Sequence, residues 1–328
     1  MSVTVELDTV VEEIRSAQKF LLTTHENPDG DALGSLLGMH ELLKQLGKDS
    51  RMFLSADEFP LPWEYRRMPL EEVQNDPPAD LHDRTVIFLD CGNIDRMPVD
   101  FLRGDGVHIV NVDHHHDNTR FGTVNLVDSR ASCTAEIVWE LAKELGAEIT
   151  PVIGDPLYVG LITDTGKFMY TNTSARSHRM AAELIEAGVN AHAVYRRLYE
   201  DLPYGRVQLL SRALSRIQRL DDGAVTATTL TRADFDETGA VESDSEGIVD
   251  HLRSVQGTKV AVLVRELLSE DRAGIRKISM RATDGSVDVS RIARGLGGGG
   301  HTQAAGASSD LPLDELLATI RKGVTEQL

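Results

Sequence analysis

Residues 20–35 read Phe-Leu-Leu-Thr-Thr-His-Glu-Asn-Pro-Asp-Gly-Asp-Ala-Leu-Gly-Ser. The apolar run that starts at Phe20 predicts a short, buried β-strand. The apolar pattern of residues 32–46 predicts a helix, and Gly47 follows as its C-terminal stop. A strand, a loop and a helix in this order form the repeating unit of α/β proteins with a parallel sheet.

The loop between that strand and helix carries three potential metal ligands within seven residues, His25, Asp29 and Asp31. Pro28 and Gly30 bend the chain here, so the three side chains can converge on one point. Imidazole and carboxylate groups at such a point are typical of a metal site. The alternative is a turn in which the aspartates only cap the following helix.

Two further strands are predicted at residues 86–89 and 107–112, and each is followed by an aspartate, Asp90 and Asp113. In open α/β sheets the ligand crevice lies at the carboxyl ends of the strands, so both aspartates are candidate site residues. A strand-end aspartate can also serve only as a cap or turn residue. We expect a parallel sheet with helices on both faces.

The length of 328 residues favours two domains. The hydrophobic pattern predicts an α/β domain over residues 1–190, a helical linker over 191–220 and a smaller α/β domain over 221–328. The active-site cleft is expected between the two domains.

Three consecutive histidines, His114, His115 and His116, follow the strand that ends at Asp113. Packing alone explains them poorly, because each imidazole has two ring nitrogens to satisfy. Metal or phosphate binding is the better explanation. Asp164, at the edge of an apolar segment, is either a metal ligand or a helix cap.

The run Gly297-Gly-Gly-Gly-His301 lies after a helical stretch over residues 289–296. Glycines allow close backbone approach and can present N–H groups to an anion, and His301 adds a donor. The alternative is a flexible linker, although apolar residues bound the run on both sides.

Composition excludes several classes of function. The 34 basic and 52 acidic residues give a net charge of −18, which disfavours unspecific binding to long nucleic acid. No segment approaches the roughly 20 apolar residues that cross a bilayer, and the acidic N-terminus does not show the basic start and apolar run expected of a signal peptide. Only two cysteines occur, Cys91 and Cys133, as expected in a reducing compartment. We therefore expect a cytoplasmic protein.

Together these candidates form a set of oxygen and imidazole ligands without thiolate. Such a set suits two divalent ions, manganese first, with magnesium or cobalt as alternatives. One aspartate that bridges two ions would create the two-metal clamp of phosphoryl hydrolysis.

In order and spacing, these blocks resemble the DHH phosphoesterase superfamily, specifically its stand-alone nanoRNase and pAp-phosphatase branch. The name-giving triplet is Asp113-His114-His115, followed by Asn118. The resemblance also includes the H-x-x-x-D-x-D block, Asp90, Asp164 and the G-G-G-H run, and it covers nearly the whole chain. The extra His116 falls at a permissive position.

The resemblance implies a role for each matching residue. One ion would take His25, Asp29 and Asp90, and the other Asp31, Asp90, His114 and Asp164, with Asp90 as the bridge. His115 and Asn118 would bind the substrate phosphate, with Asp113 as a catalytic residue that orients its neighbours. Phosphate binding in the second domain would fall to Arg281, Gly298, Gly299, Gly300 and His301. Arg265 is a weaker candidate and equally suits an ordinary salt bridge.

The function implied is hydrolysis of short phosphate esters of nucleotides by in-line attack of a hydroxide held between two ions. Candidate substrates are short oligonucleotides, dinucleotides such as pApA or cyclic di-AMP, and 3′,5′-bisphosphates such as pAp. Long duplex nucleic acid and membranes are not expected as partners, and a homodimer stays open. The alternatives are a pyrophosphatase or exopolyphosphatase of the same superfamily, and a nucleotide-binding module without catalysis.

Overall fold

The computed structural model describes residues 3–97, 99–104, 106–300 and 302–328. The chain divides into two compact units, residues 1–200 and 201–328. Within the described residues, no helix combines the length and the apolar character that a membrane span requires.

The first unit is built on a six-stranded sheet in which every neighbouring pair of strands is parallel, in the order β3-β2-β1-β4-β5-β6. The strands are β1 Lys19–Thr23, β2 Asp49–Phe53, β3 Val73–Gln74, β4 Thr85–Leu89, β5 His108–Asp113 and β6 Val124–Val127. The helices are α1 Val3–Ser16, α2 Gly30–Gln45, α3 Thr134–Glu144, α4 Pro151–Asp164, α5 Ala175–Glu186 and α6 Ala191–Tyr199. The expected parallel α/β sheet is confirmed.

The two faces of this sheet are covered differently. Alternate residues of a strand point to opposite faces, so Phe20 and Leu22 join the large core with the α-helices, whereas Leu21 joins a smaller core. That smaller core is completed by loops and by the 3₁₀ turns Ile94–Arg96 and Asp100–Arg103. Among the described residues, this smaller core contains side chains of strands, loops and 3₁₀ helices, whereas the α-helices contribute to the large core.

Helices α2 and α4 pack at very close range because glycines line their contact. A side chain at Gly34 would collide with the carbonyl oxygen of Pro156, and a Cβ at Gly160 would lie 2.7 Å from a carboxylate oxygen of Asp31. This packing brings the first turn of α2 beside the last turns of α4, so that Asp31 and Asp164 become neighbours.

The second unit holds a mixed sheet in the order β11-β12-β10-β9-β8-β7, in which only the pairing of β8 with β9 is parallel among the described pairs. Its strands are β7 Gln218–Leu220, β8 Val225–Leu230, β9 Val260–Glu266, β10 Arg276–Ala282, β11 Gly299–Gly300 and β12 Ala304–Ser309. Its helices are α7 Tyr204–Ser215, α8 Arg232–Thr238, α9 Ile248–Arg253, α10 Val289–Gly295 and α11 Leu313–Thr325.

The segment expected as a helical linker, residues 191–220, divides between the units. Helix α6 lies in the first unit, where Val194 and Leu198 join the core. Helix α7 lies in the second, where Leu209 and Ala213 are buried against its sheet. Amphipathic helices of this kind gain their stability from such packing.

Candidate metal centre

The candidate ligands come from the carboxyl ends of three adjacent strands. His25 follows β1, Asp90 follows β4, and His114 follows β5. The strand order β1-β4-β5 places these ends side by side at one edge of the sheet. Two helix ends complete the cluster: Asp31 lies in the first turn of α2, and Asp164 is the last residue of α4.

The six residues predicted as metal ligands form two groups that Asp90 connects. Ligand atoms of His25, Asp29 and Asp90 lie within 4.8 Å of one another, and so do those of Asp31, His114 and Asp164. One carboxylate oxygen of Asp90, Oδ2, lies 3.5 Å from His25 Nε2, and the other, Oδ1, lies 3.5 Å from His114 Nε2. Each oxygen of Asp90 therefore faces a different group, as a bridging ligand requires.

Asp29 caps helix α2 and also belongs to the group of candidate metal ligands. It is the N-cap of α2, where its Oδ1 accepts hydrogen bonds from the backbone N–H groups of Asp31 and Ala32, each at 3.0 Å. A carboxylate has two oxygens, so one can cap the helix while the group still takes part in the cluster.

The start of helix α3 fixes two of the carboxylates, a contribution that the sequence did not reveal. The backbone N–H of Thr134 donates to Asp31 Oδ2 at 2.6 Å, and that of Ala135 donates to Asp31 Oδ1 at 2.9 Å. The hydroxyl of Thr134 donates to Asp90 Oδ1 at 3.0 Å. A helix N-terminus favours negative charge, so it both orients and stabilises these carboxylates.

Asn172 positions Asp164 in a similar way and was also missed. Its side-chain amide donates to the carbonyl oxygen of Asp164 at 3.1 Å and to the carboxylate Oδ2 at 3.2 Å. It donates as well to the carbonyl oxygen of Ser132, just before α3. Neither Thr134 nor Asn172 stands in a motif that marks it, and only the tertiary contacts identify them.

The two ring nitrogens of His25 face different groups. Its Nδ1 lies 2.7 Å from the carbonyl oxygen of Glu26. A proton on Nδ1 would be donated to this carbonyl and would leave Nε2, which faces Asp90, free to bind a cation. The guanidinium of Arg96 lies 3.0 Å from the same Nδ1 and can donate to it only in the other tautomer.

Burial and mutual repulsion mark the carboxylates as a crowded set. Burial, together with the charges of Asp90 and Asp164, raises the pKa of Asp31 well above its usual range. Burial also raises the pKa of Asp164 to about 6. The nearby His114 lowers this pKa, whereas the negative charge of Asp90 raises it. Burial alone would raise the pKa of Asp90 too, but its hydrogen bond to His25 and the nearby histidines hold it below the usual range.

The donor set fits a hard or borderline divalent cation. It consists of carboxylates and imidazoles, and a bound cation would relieve the repulsion between the carboxylates. Thiolate is not among the donors: burial raises the pKa of Cys91 to about 12 and that of Cys133 well above its usual range. The residues present therefore suit a divalent metal ion.

His115 lies at the edge of the cluster and is tied to Asp113. Its Nδ1 is 2.8 Å from Asp113 Oδ1, and the side-chain amide of Asn118 donates to Asp113 Oδ2 at 2.5 Å. Burial lowers the pKa of His115, but the hydrogen bond to Asp113 outweighs it and raises the pKa to about 9. The raised pKa favours the cationic form of His115, and its side chain is about one-third exposed, which suits contact with an anion. The exposed His116 lies outside the cluster.

In the second unit, the two candidate arginines Arg281 and Arg265 have different surroundings. Arg281 lies on β10, where its Nη1 donates to the carbonyl oxygen of Met280 at 3.1 Å and its Nε lies 4.0 Å from Asp250. Arg265 is buried and pairs with Glu242 at 2.8 Å, as an ordinary salt bridge would.

The glycine run is ordered structure rather than a flexible linker. Gly299 and Gly300 form strand β11, which pairs with β12. A Cβ at Gly298 would collide with the carbonyl oxygen of Gly306, so the absence of side chains permits this close pairing. His301 lies outside the described residues.

Comparisons with known proteins agree with this arrangement. Residues 19–161 match the DHH family, N-terminal domain, and residues 222–326 match the DHHA1 domain. The chain is 35% identical over 309 residues to the bifunctional oligoribonuclease and PAP phosphatase NrnA of Thermus thermophilus, which covers 94% of this chain and 89% of that protein.

It is 28% identical to the protein of the same name from Bacillus subtilis, with 88% of each chain covered. A crystal structure of an exopolyphosphatase-related protein from Bacteroides fragilis has a TM-score of 0.85 at 22% identity. That match covers 98% of this chain and 96% of the other, and it demonstrates the shared fold.

Proposed function

We propose that this chain, which belongs to the DHH family and carries a DHHA1 domain, is a metal-dependent phosphoesterase acting on short nucleotides. The observation that carries the proposal is the position of Asp90, whose two carboxylate oxygens face two separate groups of candidate ligands. Two-metal phosphoesterases require a bridging ligand of this kind.

In this proposal His25, Asp29 and Asp90 hold one divalent ion, and Asp31, Asp90, His114 and Asp164 hold the other. Manganese is the first choice, with magnesium or cobalt as alternatives, because the donors are carboxylates and imidazoles. When bound, the ions would lower the pKa of water and neutralise charge that develops on the phosphoryl oxygens.

The residues of the chain itself divide the remaining work. Thr134 and Asn172 hold the carboxylates of Asp90 and Asp164 in place by hydrogen bonds. His115, kept cationic by Asp113, binds a phosphoryl oxygen and compensates its negative charge. Asn118 fixes Asp113, so that the orientation of His115 is set before substrate arrives.

The second unit contributes substrate binding. Arg281 and the segment of Gly298, Gly299 and Gly300 are proposed to contact the phosphate of the substrate. Arg281 supplies a guanidinium, and the glycines allow close approach of an anion to the backbone. His301 belongs to this proposal on the grounds of the sequence alone.

Short oligonucleotides and pAp are the substrates that the proposal favours. Both relatives named as NrnA are described as oligoribonucleases and PAP phosphatases, and they align over nearly the whole chain. The net charge of −18 disfavours long nucleic acid. We further propose a cytoplasmic location, because Cys91 and Cys133 are both free and buried.

A substrate panel tests the proposal. The purified protein is incubated in Mn²⁺ with pApA, pAp, cyclic di-AMP and pyrophosphate, and the products are separated by chromatography. We expect hydrolysis of pApA and pAp and little release of phosphate from pyrophosphate. Preference for pyrophosphate would support the pyrophosphatase alternative, and tight binding of pApA without turnover would support a silent binding module.

A further inference from the structure

A strained turn directly follows the candidate ligand Asp164. Gly166, Lys167 and Phe168 adopt left-handed backbone conformations in succession, with φ values of 54°, 62° and 65°. For residues other than glycine this conformation is unfavourable, because Cβ lies too close to the following carbonyl oxygen. The turn persists because the hydroxyl of Thr165 accepts the N–H of Phe168 at 3.1 Å and its carbonyl oxygen accepts the N–H of Tyr170 at 2.9 Å.

The turn presents two large side chains to solvent. Phe168 packs inward, with its ring stacked on His178 at 4.9 Å. The next two residues do the opposite: Met169 is 82% exposed and Tyr170 is 54% exposed. A turn with only a structural role would gain stability by burying such side chains, so their exposure next to a strained backbone indicates another use.

The ring of Tyr170 packs closely against Gly166. A Cβ at Gly166 would be 2.5 Å from two carbon atoms of this ring. Two residues separate Gly166 from Asp164, so their Cα atoms are at most about 7.6 Å apart. Asn172, two residues beyond Tyr170, is hydrogen-bonded to Asp164 as well. Both ends of the turn are thereby joined to Asp164, one through the chain and the other through hydrogen bonds, and the Tyr170 ring packs on the backbone between them.

Other aromatic and cationic groups extend this surface. The rings of Tyr195 and Tyr199 lie 5.1 Å apart, and the ammonium of Lys167 lies 4.5 Å from the ring of Tyr199. Tyr170 is close enough to Tyr199 to influence its ionisation. Tyr170 therefore lies near this group of aromatic and cationic side chains within the first unit.

We propose that Tyr170 and Met169 form a nucleobase-binding subsite, in which the base stacks on the Tyr170 ring while the phosphate to be hydrolysed lies at the metal-binding cluster. This inference rests on the proposed function and adds the residues that recognise the base. Stacking on an aromatic ring accepts every base, because every base has a π-face. The subsite would therefore favour nucleotides over other phosphate esters without selecting one base.

The test compares a nucleotide with its baseless counterpart. Wild type and Tyr170→Ala are assayed in Mn²⁺ with pAp and with 1-deoxyribose 3,5-bisphosphate, which has the same phosphates and no base. We expect Tyr170→Ala to raise KM for pAp by roughly 5- to 150-fold, the range for loss of one stacked base. Its kcat/KM for the baseless ester should stay within twofold of wild type.

Three matched variants separate stacking from other effects. Tyr170→Phe keeps the ring and should retain the wild-type KM. Gly166→Ala keeps Tyr170 but displaces its ring, so it should raise KM for pAp as Tyr170→Ala does. Tyr204→Ala removes an equally large and more exposed ring from the second unit and should change neither substrate. Equal losses for both esters in Tyr170→Ala, or no change in either, would overturn the subsite.

A binding measurement distinguishes failure of the subsite from failure of the proposed function. The 3′,5′-bisphosphate of 2-aminopurine riboside is fluorescent and is quenched when its base stacks. Quenching by wild type but not by Tyr170→Ala supports the subsite even if wild type hydrolyses neither ester. Absence of quenching by wild type overturns the subsite even if pAp is hydrolysed.

Discussion

Asp164→Asn should stabilise the metal-free protein while it abolishes activity. The Asp164 side chain is only 28% exposed and lies near Asp90 and Asp29, and its pKa rises from 3.8 to about 6. An acid whose pKa is raised by folding binds its proton more tightly in the folded state, so stability falls as pH rises from about 4 to 6. Above pH 6 the ionised carboxylate destabilises the fold, and asparagine removes that charge.

The size of the effect follows from the same pKa. A rise from 3.8 to about 6 corresponds to about 3 kcal/mol at pH 8, and to about half of that at pH 5. For a unit of 200 residues, about 3 kcal/mol raises the melting temperature by roughly 6–12 °C. Asparagine can still accept the hydrogen bond from Asn172, so this contact is kept.

Thermal unfolding followed by circular dichroism in EDTA measures the effect at pH 8 and pH 5. Asp76→Asn is the control, because it removes the same charge from an exposed position of the first unit. Adding Mn²⁺ should stabilise wild type more than Asp164→Asn, since a ligand stabilises the state that binds it. Equal stability of the metal-free proteins at pH 8, or a larger difference at pH 5, would refute the account of crowded carboxylates.

Three further predictions concern other parts of the structure. Thr134→Val removes the hydroxyl that donates a hydrogen bond to Asp90, and it should lower kcat about 10- to 100-fold without changing the unfolding temperature. A kcat within twofold of wild type would exclude a role of this hydroxyl in positioning Asp90. Gly34→Ala overpacks the contact of α2 with α4 and should lower the free energy of unfolding by about 1–3 kcal/mol in urea titrations, so an unaltered midpoint would contradict the packing. Asp234→Ala removes the carboxylate that pairs with Arg216 and should destabilise the second unit by about 1–3 kcal/mol. Limited proteolysis should then cleave the chain faster within residues 201–328, and wild-type resistance to the protease would contradict this role of Asp234.

Much of the fold could be predicted because its strands are apolar and end at polar residues. Residues 86–89 lie within β4, and residues 107–112 overlap β5. The strands that escaped prediction lack this signal. β2 begins Asp49-Ser-Arg, β6 has only four residues, and β12 consists of alanine, glycine and serine, which have low strand propensity.

The sequence did not reveal that one face of the first sheet packs against α-helices and the other against loops and 3₁₀ turns. A helix can be recognised in a sequence because its apolar residues recur with a period of 3.6 residues. In contrast, 3₁₀ turns such as Ile94–Arg96 have too few residues to show such a period. Their apolar residues are recognisable as core only when the strand face that they cover is known.

The candidate ligands were accessible from sequence because a metal needs chemically distinctive side chains. His25, Asp90 and His114 follow strands whose ends converge in any parallel sheet. Thr134 and Asn172 are ordinary residues by type, and they act through hydrogen bonds to residues far away in the chain. Such contacts depend on the packing of α3 and α4 against the sheet, which local sequence does not specify.

In the proposed nucleotide phosphoesterase, Asp90 connects two metal-binding groups. The most direct test of this role is to measure hydrolysis of pApA and pAp in Mn²⁺ together with the metal content of wild type and Asp90→Ala, with circular dichroism to verify folding. We expect two bound ions and turnover in wild type, and a folded Asp90→Ala variant with fewer bound ions and no turnover. A folded variant that keeps its Mn²⁺-dependent activity would contradict this role of Asp90.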